Sequence, residues 1–172
     1  MTQATSDSLT TTITVDATPE QAFAAINDPR GWWSQTITGA TDEVGAEWEY
    51  GVEGIHYSKI RVTELVPGEL VVWRVVEGWL SFIEDTTEWD DTEIRFDIWQ
   101  DRGGTRVRFT HVGITPEVEC YEVCNVAWAS YVGNSLNRLI ETGVGNPNQE
   151  RAGGEQEEQA QEVLRRAAQR TA

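Results

Sequence analysis

Basic side chains are scarce in this sequence, which has 13 lysine and arginine residues against 29 aspartate and glutamate residues. Lys59 is the only lysine, and the formal net charge at neutral pH is -16. A chain this acidic repels the phosphate backbone of nucleic acids and the anionic headgroups of membranes. We therefore expect neither a nucleic acid nor a membrane as its partner.

Long apolar runs are missing too. No stretch reaches the roughly 18 consecutive apolar residues that a membrane-spanning helix requires, and the polar start, MTQATSDS, lacks the basic and apolar regions of a secretion signal. These two absences lead us to expect a cytoplasmic protein.

Cysteine and recognisable catalytic motifs are equally sparse. Cys120 and Cys124 lie four residues apart on a predicted helix, where disulfide geometry is poor, so we expect both thiols to be reduced. No further metal ligands stand at a known spacing, and there is no phosphate loop, nucleophile elbow or calcium loop. We therefore predict no metal site, no cofactor and no catalytic residue.

The clearest element that the sequence does contain is a long helix at residues 115–143. Thr115 suits the N-cap, Pro116 the first helical position, and Gly143 the left-handed residue beyond the last turn. Residues at three-to-four spacing form an apolar and aromatic face that needs a concave partner. That face comprises Cys124, Trp128, Tyr131, Val132, Ser135, Leu136 and Leu139.

The preceding residues predict a sheet. A first strand is expected at residues 9–15, and a capping box beginning at Thr18 opens a short helix. A second brief helix or a turn is expected at residues 30–33. From residue 46 the apolar pattern has a period of two, and a turn at 101–104 makes the last two strands a hairpin. The order is therefore strand, two short helices, about five more strands and a long helix.

Several motifs resemble a known family. They are TPEQAF at 18–23, WW at 32–33, IRVTELVPG at 60–68 and GTRVRFTH at 104–111. Together with the order of elements, they resemble the START-like (SRPBCC) superfamily, in the subgroup named for activators of the heat-shock-protein-90 ATPase and for polyketide cyclases. The resemblance covers about residues 8–147. It implies an α+β helix-grip fold, in which a curved antiparallel sheet of about six strands wraps round the long C-terminal helix and leaves a cavity.

The resemblance also sets the expected domain organisation. Residues 1–148 are predicted to form one ligand-binding domain. Residues 149–172 contain no aromatic residue and are rich in Glu, Gln, Ala and Arg. We expect this polar tail to be disordered or to form a marginal surface helix.

Eight tryptophans make aromatic side chains the most distinctive feature of the composition. A core filled with rings would explain them, but buried indole N–H groups need partners, and polar residues on inward faces favour a cavity. Alternation and the helix face predict which residues line it. The predicted ligand-binding residues are Trp48, Tyr50, His56, Trp73, Phe96, Phe109, His111, Trp128, Tyr131 and Ser135.

The two histidines, His56 and His111, are both predicted to face inward. Three strand steps would separate them by roughly 14 Å in a flat sheet, although curvature shortens that distance. We therefore expect each to be hydrogen-bonded separately in the cavity wall rather than paired. The alternative is that one acts as a general acid or base on a bound ligand.

Three functions follow from this interpretation. The first is binding of a small, largely apolar or aromatic ligand, with residues 79–89 as a lid. The second is a cyclase-like or hydrolase-like enzyme that uses an inward histidine, which we consider less favoured. The third is a chaperone-accessory or protein-interaction module, whose protein partner would need an exposed patch at Trp32 and Trp33, or at Trp79.

Overall fold

The computed structural model describes residues 7–148, so the predicted tail at 149–172 lies outside the described residues. A six-stranded antiparallel sheet runs in the order β1-β6-β5-β4-β3-β2. Sequence neighbours from β2 to β6 pair as hairpins, whereas β1 adds to the far edge beside β6. The strands are β1 Leu9–Val15, β2 Glu47–Val52, β3 His56–Val66, β4 Leu70–Leu80, β5 Glu93–Asp101 and β6 Gly104–Val112.

Two short helices connect the opposite edges of this sheet. Helix α1 spans Pro19–Ile26 and α2 spans Pro29–Trp32. The predicted capping box is confirmed, because the Gln21 backbone N–H donates to Thr18 Oγ1 at 3.1 Å while Thr18 N–H donates to Gln21 Oε1 at 2.8 Å. The two helices bury their apolar residues against the inner face of the sheet.

The C-terminal helix is long and crosses the concave face, as predicted, but it begins at Tyr121 rather than near Thr115. Helix α3 covers Tyr121–Ser130, a π-helical segment covers Tyr131–Leu136, and α4 covers Asn137–Thr142. Gly143 ends it as expected, with φ of 83° and its N–H bonded to Leu139 O at 2.9 Å.

A carboxylate from another part of the chain explains the later start. Glu88, which lies in the loop between β4 and β5, accepts the backbone N–H of Glu119 at 2.8 Å and that of Cys120 at 2.9 Å. These N–H groups therefore have a long-range cap, and Thr115 is not needed as the N-cap. Residues 115–120 form turns instead.

The α+β helix-grip fold predicted from the sequence is confirmed, with the main core between the sheet and the C-terminal helix. One surface prediction was wrong. Trp32 and Trp33 are 0% and 2% exposed, so they cannot form a surface patch, whereas Trp79 is 41% exposed. No helix within residues 7–148 has the length and apolar character that crossing a membrane requires.

Candidate ligand site

The predicted inward residues converge from five strands, β2 to β6, and the C-terminal helix. Alternation along β2, β4, β5 and β6 turns their aromatic side chains to the concave face, where most are almost completely buried. These rings and their neighbours form one continuous set of ring contacts. We call it the ring cluster: Trp32, Trp33, Trp48, Tyr50, Trp73, Trp89, Phe96, Phe109 and Trp128.

Trp33 lies near the middle of the ring cluster, although the sequence pattern did not assign it there. Its ring centroid is 4.6 Å from that of Tyr50 and 4.9 Å from that of Trp128. Helix α2 is held against the π segment because Ser135 Oγ donates to Trp32 O at 2.7 Å. Ser135 therefore positions α2, and its hydroxyl is used within the fold.

Trp89 was also missing from the predicted site, and it enters the ring cluster from the loop at 81–92. It is 3% exposed and stacks on Trp128, with ring centroids 5.9 Å apart and planes 13° from parallel. Its indole N–H donates to Cys124 Sγ at 3.4 Å. The ring also lies 4.6 Å from each imidazole, that of His56 and that of His111.

The sheet makes room for Trp89 because β4 and β5 separate. Their pairing extends on β4 only from Leu70 to Arg74. Beyond that point β4 stays paired with β3. The end of the loop is hydrogen-bonded to β4, because the Val75 N–H donates to Thr92 O and the Asp91 N–H donates to Val75 O, each at 2.9 Å. The Trp89 side chain lies beside this stretch of β4, since a Cβ added at Gly78 would come within 3.2 Å of the Trp89 Cβ.

The same geometry brings the histidines closer than a flat sheet would. Since each imidazole lies 4.6 Å from the Trp89 ring, their centroids are at most twice that distance apart. Trp89 contacts both imidazoles, so its ring bridges them. Each histidine has its own hydrogen bonds, as the sequence predicted.

His111 is 0% exposed and uses both ring nitrogens. The Trp128 indole N–H donates to Nδ1 at 3.2 Å, and Nε2 lies 2.9 Å from Thr92 Oγ1. The Thr92 hydroxyl donates to Trp89 O at 2.6 Å, so Thr92 Oγ1 accepts and the proton of His111 is on Nε2. Burial, with a smaller contribution from His56, lowers the pKa of His111 to about 3, so the imidazole is neutral at pH 7.

His56 has fewer bonds. Its Nε2 lies 2.7 Å from Ser58 Oγ, and its ring packs edge-on against Tyr50 at 4.9 Å. Burial lowers the pKa of His56 to about 3. Unlike His111, His56 is only partly buried.

Two buried indole groups have no hydrogen-bond partner within residues 7–148. Trp48 and Trp73 are 1% and 0% exposed, and the Nε1 atom of each is unpaired. Their rings meet at 5.1 Å, nearly perpendicular to each other. An unpaired buried donor costs about 1 to 3 kcal/mol. The interior therefore contains hydrogen-bonding capacity that the described residues do not use.

Carboxylates fasten the loop at 81–92 to the start of α3. Besides the two bonds that Glu88 accepts, Glu119 accepts the backbone N–H groups of Glu84 at 3.1 Å and of Asp85 at 3.0 Å. We call these reciprocal bonds the loop latch. Because Glu88 directly precedes Trp89 in the sequence, the loop latch holds the segment whose Trp89 ring enters the ring cluster.

Metal binding finds no support in the part of the chain that the structure describes. Residues 7–148 contain no group of three or more His, Cys, Asp or Glu side chains that could hold a metal ion. Cys120 and Cys124 are buried free thiols, and the hydrogen bond with Cys124, together with burial, raises the pKa of Cys120.

A sequence profile described as "Activator of Hsp90 ATPase homolog 1-like protein" matches residues 16–141. The chain belongs to this family of activator homologue-like proteins. The match runs from the end of β1 into α4, so the ring cluster lies inside the family region. No curated protein matches the chain significantly.

Solved structures agree with the family assignment. The solution structure of the Aha1 dimer from Colwellia psychrerythraea is 28% identical, covers 80% of this chain and 98% of that chain, and has a TM-score of 0.64. A protein from Staphylococcus saprophyticus is 18% identical in sequence; the match covers 82% of this chain and 97% of that chain, with a TM-score of 0.60. CalU16 from Micromonospora echinospora is 17% identical in sequence; the match covers 93% of this chain and 85% of that chain, with a TM-score of 0.56. The last two show the fold alone.

Proposed function

We propose that this protein binds a small, largely apolar or aromatic ligand between the curved sheet and the C-terminal helix. The residues predicted from the sequence, apart from Ser135, whose hydroxyl is used within the fold, would contact the ligand together with Trp33, and the ligand would take the place of the Trp89 ring. The observation that carries the proposal is the place of Trp89. A loop side chain fills the position between His56 and His111 and stacks on Trp128.

An aromatic ligand could replace this indole without rebuilding the sheet. The ring of Trp89 makes the contacts that a planar guest would make: one stacked face, two imidazole edges and one polar bond to Cys124 Sγ. The loop latch supports the same interpretation, because it consists of exposed or partly exposed polar bonds, which can open at modest cost. The loop at 81–92 would then act as the lid.

The unpaired N–H groups of Trp48 and Trp73 indicate what else the ligand carries. Both are donors, so a guest with an acceptor oxygen would relieve the cost of leaving them unpaired. The neutral histidines keep the interior uncharged, which favours an uncharged guest.

Catalysis by an inward histidine is the less favoured function. A general base works best when its pKa is near the working pH, and both histidine pKa values are lowered to about 3. Both nitrogens of His111 are also engaged.

A protein-interaction role is a further candidate, favoured by the family name and by the dimeric state of the Aha1 relative. Trp79 is the exposed ring that could contribute to it. Loss of a captured partner on Trp79→Ala, with ligand binding unchanged, would support that role.

The direct test of ligand binding is a screen of uncharged aromatic compounds against the folded protein, with thermal stability and tryptophan fluorescence as readouts. Compounds that raise the melting temperature should also quench the fluorescence and protect the loop at 81–92 from proteolysis. If no compound in a broad library produces either change, the proposal is wrong.

A further inference from the structure

Asn148, the last residue that the structure describes, places its carboxamide among three hydroxyl groups. Its Nδ2 donates to Tyr50 OH at 3.1 Å and to Tyr131 OH at 2.9 Å, and Ser34 Oγ donates to its Oδ1. Ser34 is 0% and Tyr50 4% exposed. Every hydrogen-bonding group of this side chain except one lone pair of its oxygen is therefore engaged.

The three hydroxyls lie at one end of the ring cluster. The Tyr50 ring packs against Trp33 at 4.6 Å and against His56 at 4.9 Å, and the Tyr131 ring lies 6.4 Å from that of Trp128. A group bound by these hydroxyls is thus adjacent to the aromatic interior. We call Ser34, Tyr50 and Tyr131 the hydroxyl pocket.

The backbone of Asn148 is anchored independently of its side chain. Its N–H donates to Trp33 O at 2.9 Å, and its carbonyl accepts from Gln35 N–H at 3.0 Å. Two residues before Asn148, the Asn146 N–H donates to Ser135 Oγ at 2.7 Å. The carboxamide can therefore leave the hydroxyl pocket by rotation about its own side-chain bonds while these backbone bonds persist.

The chemistry of the hydroxyl pocket favours an uncharged planar group. A hydroxyl both donates and accepts, so three of them can satisfy the N–H groups and the oxygen of one amide. The groups that bond to the Asn148 side chain include no charged residue. Burial raises the pKa of Tyr50 well above its usual value, so this phenol stays protonated. A carboxylate held here would find no cation among the described groups that bond to the Asn148 side chain, and it would lose its hydration.

We propose that the hydroxyl pocket is a carboxamide-binding site that Asn148 fills in the absence of ligand, and that the ligand of the ring cluster is an aromatic compound bearing an uncharged amide. This inference rests on the proposed function and gives it a substrate class. Asn148 acts as an internal competitor, so the ligand's amide must displace it to bind.

The test compares the wild-type chain with Asn148→Ala, which empties the hydroxyl pocket and keeps both backbone bonds of residue 148. Benzamide, benzoate and toluene are titrated against each protein and followed by tryptophan fluorescence and calorimetry. Benzamide should bind Asn148→Ala about tenfold more tightly than the wild-type chain, since two or three hydrogen bonds no longer need to be exchanged. Toluene should bind both proteins with equal affinity, and the affinity for benzoate should be no higher in Asn148→Ala than in the wild-type chain.

Matched variants separate the explanations. Val144→Ala changes an exposed residue of the same segment and should leave benzamide affinity at the wild-type value. Tyr131→Phe in the Asn148→Ala background should lower the affinity for benzamide about fivefold and leave the affinity for toluene unchanged. If Asn148→Ala fails to fold, Asn148→Ser also vacates the amide position and should show the same preference.

Two results would overturn the inference alone. One is an equal affinity of benzamide for the wild-type chain and Asn148→Ala while toluene binds both, which makes Asn148 a structural clip and leaves the proposed function standing. The other is a gain for benzoate as large as that for benzamide, which makes the pocket a carboxylate site. If none of the three probes binds either protein, the inference and its basis in aromatic binding both fail.

Discussion

Trp89 and Trp128 stack with their ring centroids 5.9 Å apart and their planes 13° from parallel, although one lies on a loop and the other on α3. This stack joins the loop at 81–92 to the helix that the sheet surrounds. A loop that contributes a buried ring both stabilises the fold and occupies the proposed ligand site, so its removal should affect both.

Replacing Trp89 with alanine should lower the free energy of unfolding by about 3 to 5 kcal/mol, because it leaves a large cavity beside Trp128. Indole should restore part of this loss, since it can occupy the vacated position. Urea unfolding with and without indole measures both effects. Trp79→Ala is the control, and its loss should be much smaller, because that ring is 41% exposed. A Trp89→Ala protein that indole does not stabilise would contradict this interpretation of the site.

Substitution of Glu88 by alanine should open the loop latch. The variant loses the carboxylate that accepts the N–H groups of Glu119 and Cys120, so we expect a stability loss of about 1 to 2 kcal/mol. Amide hydrogen exchange should accelerate at Glu84 and Asp85, which the same latch holds. Glu84→Gln serves as the control because its own side chain is exposed. Unchanged exchange in Glu88→Ala would show that the latch does not hold the loop.

The buried histidines should make stability depend on pH. Their pKa values are about 3 in the folded protein against an ordinary value of 6.5, so the unfolded chain binds more protons between these limits. Stability should therefore fall as the pH falls from 6.5, by up to about 1.4 kcal/mol per pH unit for each histidine. In His111→Gln the slope between about pH 6 and pH 5 should be roughly halved, as urea unfolding at several pH values would show. An unchanged slope would mean that His111 does not stay neutral in the folded state.

The Ser135 hydroxyl should stabilise the fold through the two backbone groups to which it bonds. Its hydroxyl donates to Trp32 O and accepts from Asn146 N–H, so Ser135→Ala leaves both without this partner and should cost about 1 to 3 kcal/mol. Asn134→Ala, an exposed neighbour in the π segment, should change stability by no more than about 0.5 kcal/mol. Equal stabilities for the two variants would refute the positioning role of Ser135.

The sheet could be predicted from sequence because alternation is a local signal. A period of two correctly places Trp48, Trp73 and Phe109 on the inner face, where all three are at most 1% exposed. The capping box at Thr18 and the left-handed Gly143 are also local and were predicted correctly. Whether these rings bind a ligand stays a prediction.

The errors involve contacts between residues far apart in sequence. The start of α3 depends on Glu88, more than thirty residues before it in the chain, so the local cap at Thr115 was misleading. Trp89 lies in a loop without periodicity, and its burial depends on the separation of β4 from β5. Trp33 is buried because α2 packs against the π segment, which no pattern in its own neighbourhood shows.

The central claim is that a ligand enters the ring cluster and displaces Trp89. The most direct test is the spectrum of the tryptophan indole N–H groups in nitrogen-15-labelled protein, recorded during titration with the best aromatic ligand. We predict shifts of the Trp48, Trp73 and Trp89 resonances. The resonances of Trp79, which is 41% exposed, and of Trp99, whose ring packs against the Arg108 guanidinium outside the ring cluster, should stay fixed. Shifts confined to Trp79 or Trp99, or none at all with any compound, would contradict the account.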